Sequence, residues 1–174
     1  FFLIFLNFFI YSCSVINKIP EGQKLLKEER YIKNNEILKK DPVMLLSVSP
    51  PNSKIFGVPL KLYLNNLVDK TPDSSFYYWI NSKEKRKKRL NSLISPKQVD
   101  QLKKYRLNIN KWIENNSEEP VLVSENTIKE NIDIIQQYYK NIGYFNSEIL
   151  SHVDSTDNKK AVITYKIKTG KQFT

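Results

Sequence analysis

The tightest constraint on the fold lies in residues 124–168. Ile128, Ile132, Ile135, Tyr139 and Ile142 recur at helical spacing behind Ser124, a residue suited to capping a helix start. Gly143 follows where a left-handed residue stops a helix at least steric cost. Residues 145–153 then alternate, with Phe145, Ile149 and Val153 on one face and Asn146, Glu148 and His152 on the other. A polar turn over residues 155–160 leads into a second alternating run through Ala161, Ile163, Tyr165 and Ile167. One amphipathic helix followed by a hairpin is predicted.

The preceding residues are less regular. Residues 25–32 read as a strand with a charged middle, with helix as the alternative, and Asn34-Asn35 is a turn signal. A helix is predicted from Asp41 to Val48, with Asp41 as N-cap and Pro42 at the first helical position. Residues 49–66 contain Pro50, Pro51, Gly57 and Pro59 and read as extended or irregular. Thr71-Pro72-Asp73 reads as a turn, and residues 76–80 form an aromatic cluster that suits a core better than a ligand box. Residues 83–94 suggest a short basic helix with Leu90, Leu93 and Ile94 on its apolar side. Ser95-Pro96-Lys97-Gln98 is a capping box, followed by Val99, Leu102, Tyr105, Ile109 and Trp112 in one helical stripe. A helix over 96–115, with a break near Leu107, is expected there, its aromatic Trp112 in a core.

At the front, an apolar and aromatic run interrupted by Asn7 and Ser12 ends at Cys13, the single cysteine. Twelve helical residues span about 18 Å, short of a bilayer core of about 30 Å. The length suits the apolar region of a signal peptide whose beginning is missing. Ile10-Tyr11-Ser12-Cys13 reads as a bacterial lipoprotein box, with the Cys13 thiol taking a diacylglyceryl group and the freed α-amine a further chain. Stable anchoring needs more than one acyl chain, and this arrangement meets that need. Ser14 is not acidic, which points to the outer membrane, and no acidic cluster follows Cys13, which points to a periplasmic face.

The 174 residues carry a net charge of +10, and 40% hydrophobic against 26% charged residues excludes a disordered composition. A basic excess favours nucleic acid, anionic headgroups or acidic proteins. The dense run Lys83, Lys85, Arg86, Lys87, Lys88 and Arg89 is the candidate membrane-surface patch, weighed against a solvated helix face.

Taken in order, several of these residues resemble one family. Residues 140–145 (KNIGYF), the two strands after them and the ending 165–173 (YKIKTGKQF) resemble a POTRA domain, the β-α-α-β-β module preceding the barrel in the BamA/TamA family of outer-membrane assembly factors. The upstream part is similar to that family's lipoprotein (TamL-like) branch. The matching residues are Ile19-Pro20-Glu21-Gly22, Leu25-Leu26, Pro51-Asn52, residues 60–63, 76–80 and 95–99, Trp112 and Pro120-Val121-Leu122. The resemblance implies an α+β fold with a three-stranded mixed sheet, two covering helices and a long, partly helical insertion between them. It divides the chain into a truncated signal (1–12), a lipidated tether (13–24), a POTRA-like domain (25–168, insertion 49–119) and the start of a following domain (169–174).

What the resemblance implies about function is a periplasmic, lipid-anchored module that takes extended client segments by β-augmentation. In such domains the hairpin strand after the second helix can lie at the sheet edge, which makes Ser147, Glu148, Ile149, Leu150 and Ser151 the candidate partner-binding residues, the alternative being an edge covered by the insertion or a neighbouring domain. The implied partners are the outer membrane, through Cys13 and a barrel beyond this chain, unfolded outer-membrane clients, and an inner-membrane-spanning protein of the TamB type. The alternatives are a docking or spacer lipoprotein of the envelope and, with less support, a basic nucleic-acid-binding protein. No catalytic, cofactor or metal motif occurs, and the single histidine, His152, lies on the polar phase of a strand.

Overall fold

The computed structural model describes residues 19–157 and 159–173. Its elements are strands β1 (Leu25–Lys33) and β2 (Glu36–Ile37), a 3-10 helix (Pro42–Leu46), and helices α1 (Leu60–Asn65), α2 (Pro72–Asn81), α3 (Glu84–Leu93), α4 (Pro96–Asn116) and α5 (Glu125–Asn141). Strands β3 (Glu148–Asp157) and β4 (Lys160–Lys168) close the chain. The fold is α+β. Two compact units form, one from the described residues up to Asn52 together with those from Pro120 onward, the other from Ser53–Glu119.

The first unit holds a mixed sheet of order β2-β1-β4-β3. β1 runs parallel to β4, pairing Tyr31 with Tyr165 and Lys33 with Ile167, with a bulge between Leu26 and Glu28. β3 and β4 form the predicted hairpin, pairing Ile149 with Ile167 and Val153 with Ile163. The sheet has four strands, not three. Asn34 and Asn35 both take positive φ, +48° and +72°, the signature of a type I′ turn, and the chain folds back as the short strand β2.

A second correction concerns the helix predicted from Asp41 to Val48. Asp41 caps as expected, its carboxylate accepting the Val43 N–H at 3.0 Å, with Pro42 behind it. The element is a five-residue 3-10 helix, however. The Val48 N–H donates to Asn131 Oδ1 at 2.9 Å instead of continuing a helical ladder. One full α-helix and one 3-10 turn therefore lie against the sheet, where two helices were expected.

α5 stops as predicted. Tyr144 N–H donates to the Tyr139 carbonyl and Gly143 N–H to the Lys140 carbonyl, the paired bonds of a Schellman motif. Gly143 has φ +91°, and a Cβ there would meet the Phe173 carbonyl oxygen at 2.3 Å. Ser124 occupies the N-cap position, but its side chain makes no capping bond. α5 buries Ile128, Asn131, Ile135 and Tyr139 against Leu26, Tyr31, Val43, Ile163, Tyr165 and Ile167. Each large apolar side chain so removed from water contributes roughly 1.5–3 kcal/mol.

The described part of the expected tether is fastened to this unit. Ile19 is buried and its carbonyl accepts from Lys159 Nζ at 3.2 Å, while Lys24 Nζ reaches Ser155 Oγ. Where the chain leaves this unit and returns, Asn52 Oδ1 accepts the Val121 N–H at 3.0 Å.

In the second unit Ser95 and Gln98 form the predicted capping box. α4 runs unbroken past Leu107. α1 arises inside residues expected to be irregular, and Thr71-Pro72-Asp73 opens α2 instead of forming a turn. Of the aromatic cluster only Phe76 is buried. Its ring meets those of Tyr77 and Trp79 at 6.1 Å.

Candidate functional site

The sheet has two outer edges, and they are treated differently. The outer side of β1 is occupied at its start by residues 121–123, where Leu26 N–H donates to the Val121 carbonyl and Val123 N–H to the Lys24 carbonyl, each at 2.8 Å. Its other end carries β2. β3 has β4 on one side and, among the described residues, no strand on the other. In an antiparallel ladder alternate residues turn both N–H and C=O outward, so a ten-residue edge strand offers a row of backbone donors and acceptors. Protein edges are commonly blunted by proline, lysine or short length. β3 has no proline and no lysine, and its charges are acidic: Glu148, Asp154 and Asp157.

The register sorts the side chains of this strand. Ile149, Ser151 and Val153 share the helix-covered face with Ile163, Tyr165 and Ile167, and Ile149 packs against the core. Glu148, Leu150, His152 and Asp154 stand on the opposite face, where Leu150 is 58% exposed. His152 Nε2 lies 3.0 Å from Asp154 Oδ1, both side chains solvated. Of the five predicted partner-binding residues, Glu148, Ile149, Leu150 and Ser151 stand on β3. Ser147 lies one residue ahead of it, buried, its Oγ without a hydrogen-bond partner among the described residues. The strand also runs further than the alternation suggested, to Asp157. The Lys159 N–H donates to the Asp157 carboxylate, and this bond holds the carboxyl below its usual range.

Cys13 lies outside the described residues. In the basic run, Lys83 precedes α3 and Lys85, Lys87, Lys88 and Arg89 are exposed on it. Arg86 is folded back onto α2: its guanidinium sits 4.6 Å from the Trp79 ring centre and donates to the Trp79 carbonyl.

A buried polar cluster was missed by sequence reasoning. Asn131 Nδ2 lies 3.2 Å from Glu29 Oε1, 3.0 Å from Tyr165 Oη and 3.4 Å from Ser47 Oγ. Tyr31 Oη donates to Glu29 Oε2 at 3.0 Å, and the Tyr31 and Tyr165 rings lie 5.2 Å apart. Burial raises the Glu29 carboxyl above its ordinary value and pushes the Tyr165 phenol up to about 12. The signal was present: Asn131 falls three residues after Ile128 and four before Ile135, in phase with the core face. The cluster ties α5 and the exit of the 3-10 helix to the sheet. Among the described residues no group of three or more His, Cys, Asp or Glu is placed to hold a metal ion. None of the described helices is long and apolar enough to cross a membrane.

No protein-family model, curated protein or solved structure matches the chain.

Proposed function

We propose that this chain is a lipid-anchored, periplasm-facing binding module of an outer-membrane protein assembly factor, POTRA-like in architecture, which takes extended client segments along β3. The observation that carries the reading is the outer edge of β3, which no strand pairs among the described residues, ten residues long and exposed along nearly its whole length. Backbone bonding along such an edge is tolerant of client sequence, which suits unfolded barrel precursors. The parallel pairing of β1 with β4 and the position of β3 beyond β4 support the POTRA-like assignment. Lipidation at Cys13 would hold the module at the outer membrane, and the exposed lysines of α3 would face anionic headgroups.

Adjacent residues of an edge strand point their N–H groups in opposite directions. Leu150→Pro and Ser151→Pro therefore remove one outward and one inward donor. The variant that loses the outward donor keeps the β3–β4 ladder, and it is expected to fold yet to lose photocrosslinking to unfolded client. A folded proline variant with wild-type crosslinking would overturn the reading.

A further inference from the structure

α4 turns the wrong side to the protein. A helix on the surface of a soluble unit ordinarily presents its apolar stripe inward. α4 packs against α1 and α2, yet none of its 21 residues is fully buried. The docked side mixes the half-buried Val99, Leu107 and Ile113 with polar contacts. Asn110 Oδ1 accepts the Asp69 N–H at 2.8 Å and its Nδ2 donates to the Asp69 carbonyl at 2.9 Å. Lys103 Nζ lies 2.7 Å from Asp73 Oδ1, and Arg106 Nη2 lies 3.7 Å from Asp69 Oδ2.

The stripe Leu102, Tyr105, Ile109 and Trp112 is left in solvent, with Tyr105 69% and Trp112 59% exposed. At about 100° per residue it lies roughly a third of a turn from the Lys103–Asn110 side. Lys97, Lys104 and Lys111, seven residues apart and all exposed, lie roughly a third of a turn beyond it on the other flank. α4 thus has a docked sector of mixed polarity, an apolar sector with two aromatics that is uncovered among the described residues, and a lysine row.

Charge and side-chain chemistry select the occupant. Residues 53–119 contain 14 Lys and Arg against 7 Asp and Glu, a net charge of +7, so a second copy would bring like charge to the face. A phosphodiester chain would satisfy the lysines but leave Leu102 and Ile109 in water. A bilayer boundary takes all three kinds of group: aliphatic side chains enter the acyl edge, Trp and Tyr sit at headgroup depth, and lysines reach phosphate. We propose that α4 lies on an anionic lipid surface, with Leu102, Tyr105, Ile109 and Trp112 in the headgroup–acyl boundary and Lys97, Lys104 and Lys111 against headgroup phosphates. This surface is distinct from the basic run of α3, and it depends neither on lipidation of Cys13 nor on the edge of β3.

Trp79 and Trp112 are the only tryptophans, so Trp79→Phe in the full chain leaves Trp112 as a local reporter. Its emission is expected to shift to shorter wavelength with phosphatidylglycerol–phosphatidylcholine vesicles and to be quenched by brominated acyl chains. Replacing Lys97, Lys104 and Lys111 by Gln is expected to weaken the partitioning read at Trp112 by about a hundredfold, from roughly fivefold per lysine. Should Trp79→Phe not fold, the difference spectrum between wild type and Trp112→Phe reports on the same ring. The proposal is overturned if Trp112 stays solvated on vesicles that carry the chain. It is equally overturned if pure phosphatidylcholine gives the same shift, if a DNA or RNA duplex and not the vesicles produces it, or if the emission is already short-wavelength or concentration-dependent without lipid.

Discussion

Glu29 is a carboxylate held on the helix-covered face of a sheet, and its surroundings set a pH dependence. Burial raises its pKa, and the hydrogen bonds from Ser47, Tyr31 and Tyr165 only partly offset that rise. The folded state therefore holds this proton more tightly than the unfolded chain. The contribution to stability is complete below the ordinary value of 4.5 and is lost as pH rises through the higher folded value. In urea titrations from about pH 4 to about pH 8, Glu29→Gln is expected to lose ground to wild type at the acid end and recover it toward neutrality. A constant gap between the two proteins across that range would contradict this account. Tyr139 presents the opposite case: its ring is fully buried beneath Lys33 Nζ, 5.3 Å from the ring centre, and its Oη has no hydrogen-bond partner among the described residues. Tyr139→Phe keeps the ring and removes the orphaned hydroxyl, so stability should change by no more than about 1 kcal/mol and in the favourable direction. A loss of several kcal/mol in the same assay would mean that the hydroxyl is bonded in solution.

Among the elements, the hairpin of β1 and β2 depends on two asparagines in a left-handed conformation. Asparagine tolerates that region, and glycine does so at lower cost. Asn35→Gly should raise the urea midpoint, by a few tenths to about 1 kcal/mol of stability. Asn34 is not equivalent, because its side chain also joins Thr169, donating to Oγ1 at 3.0 Å and accepting the Thr169 N–H at 3.2 Å. A lower midpoint for Asn35→Gly would show that the Asn35 side chain contributes more than its backbone costs. The 3-10 helix illustrates how one tertiary bond redirects a segment: Asp41 and Pro42 start a helix competently, and Asn131, far along the chain, takes the N–H that a further turn would need.

On the scale of the molecule, the two units differ in how much they bury. The first has an apolar core from β1, β4, α5 and the 3-10 helix. In the second, among the described residues, the fully buried hydrophobic side chains are Leu62 and Phe76. Few buried contacts mean a low free energy of local opening. Native-state hydrogen exchange should therefore find amides of α3 and α4 exchanging at least about tenfold faster than those of β1, β4 and α5. Equal protection throughout would indicate that the second unit is stabilised by something other than its own core.

Periodicity by itself determined α5, its stop at Gly143, the β3–β4 hairpin and the start of α4, because these rest on local chemistry: side-chain alternation, a left-handed glycine, a reciprocal cap. Alternation also placed the strand from which the family resemblance named five residues for partner binding, and four of them lie on β3. What periodicity does not encode is which neighbour an amphipathic face meets. The stripe from Leu102 to Trp112 has core spacing but stands in water, since the side of α4 that carries Lys103 and Asn110, with Val99, Leu107 and Ile113, meets Asp69 and Asp73 instead. The polar cluster around Asn131 likewise came only with the folded chain, and the edge position of β3, expected from the family resemblance, is not written in periodicity either. Both are made by residues distant in sequence, and long-range pairing leaves no local pattern.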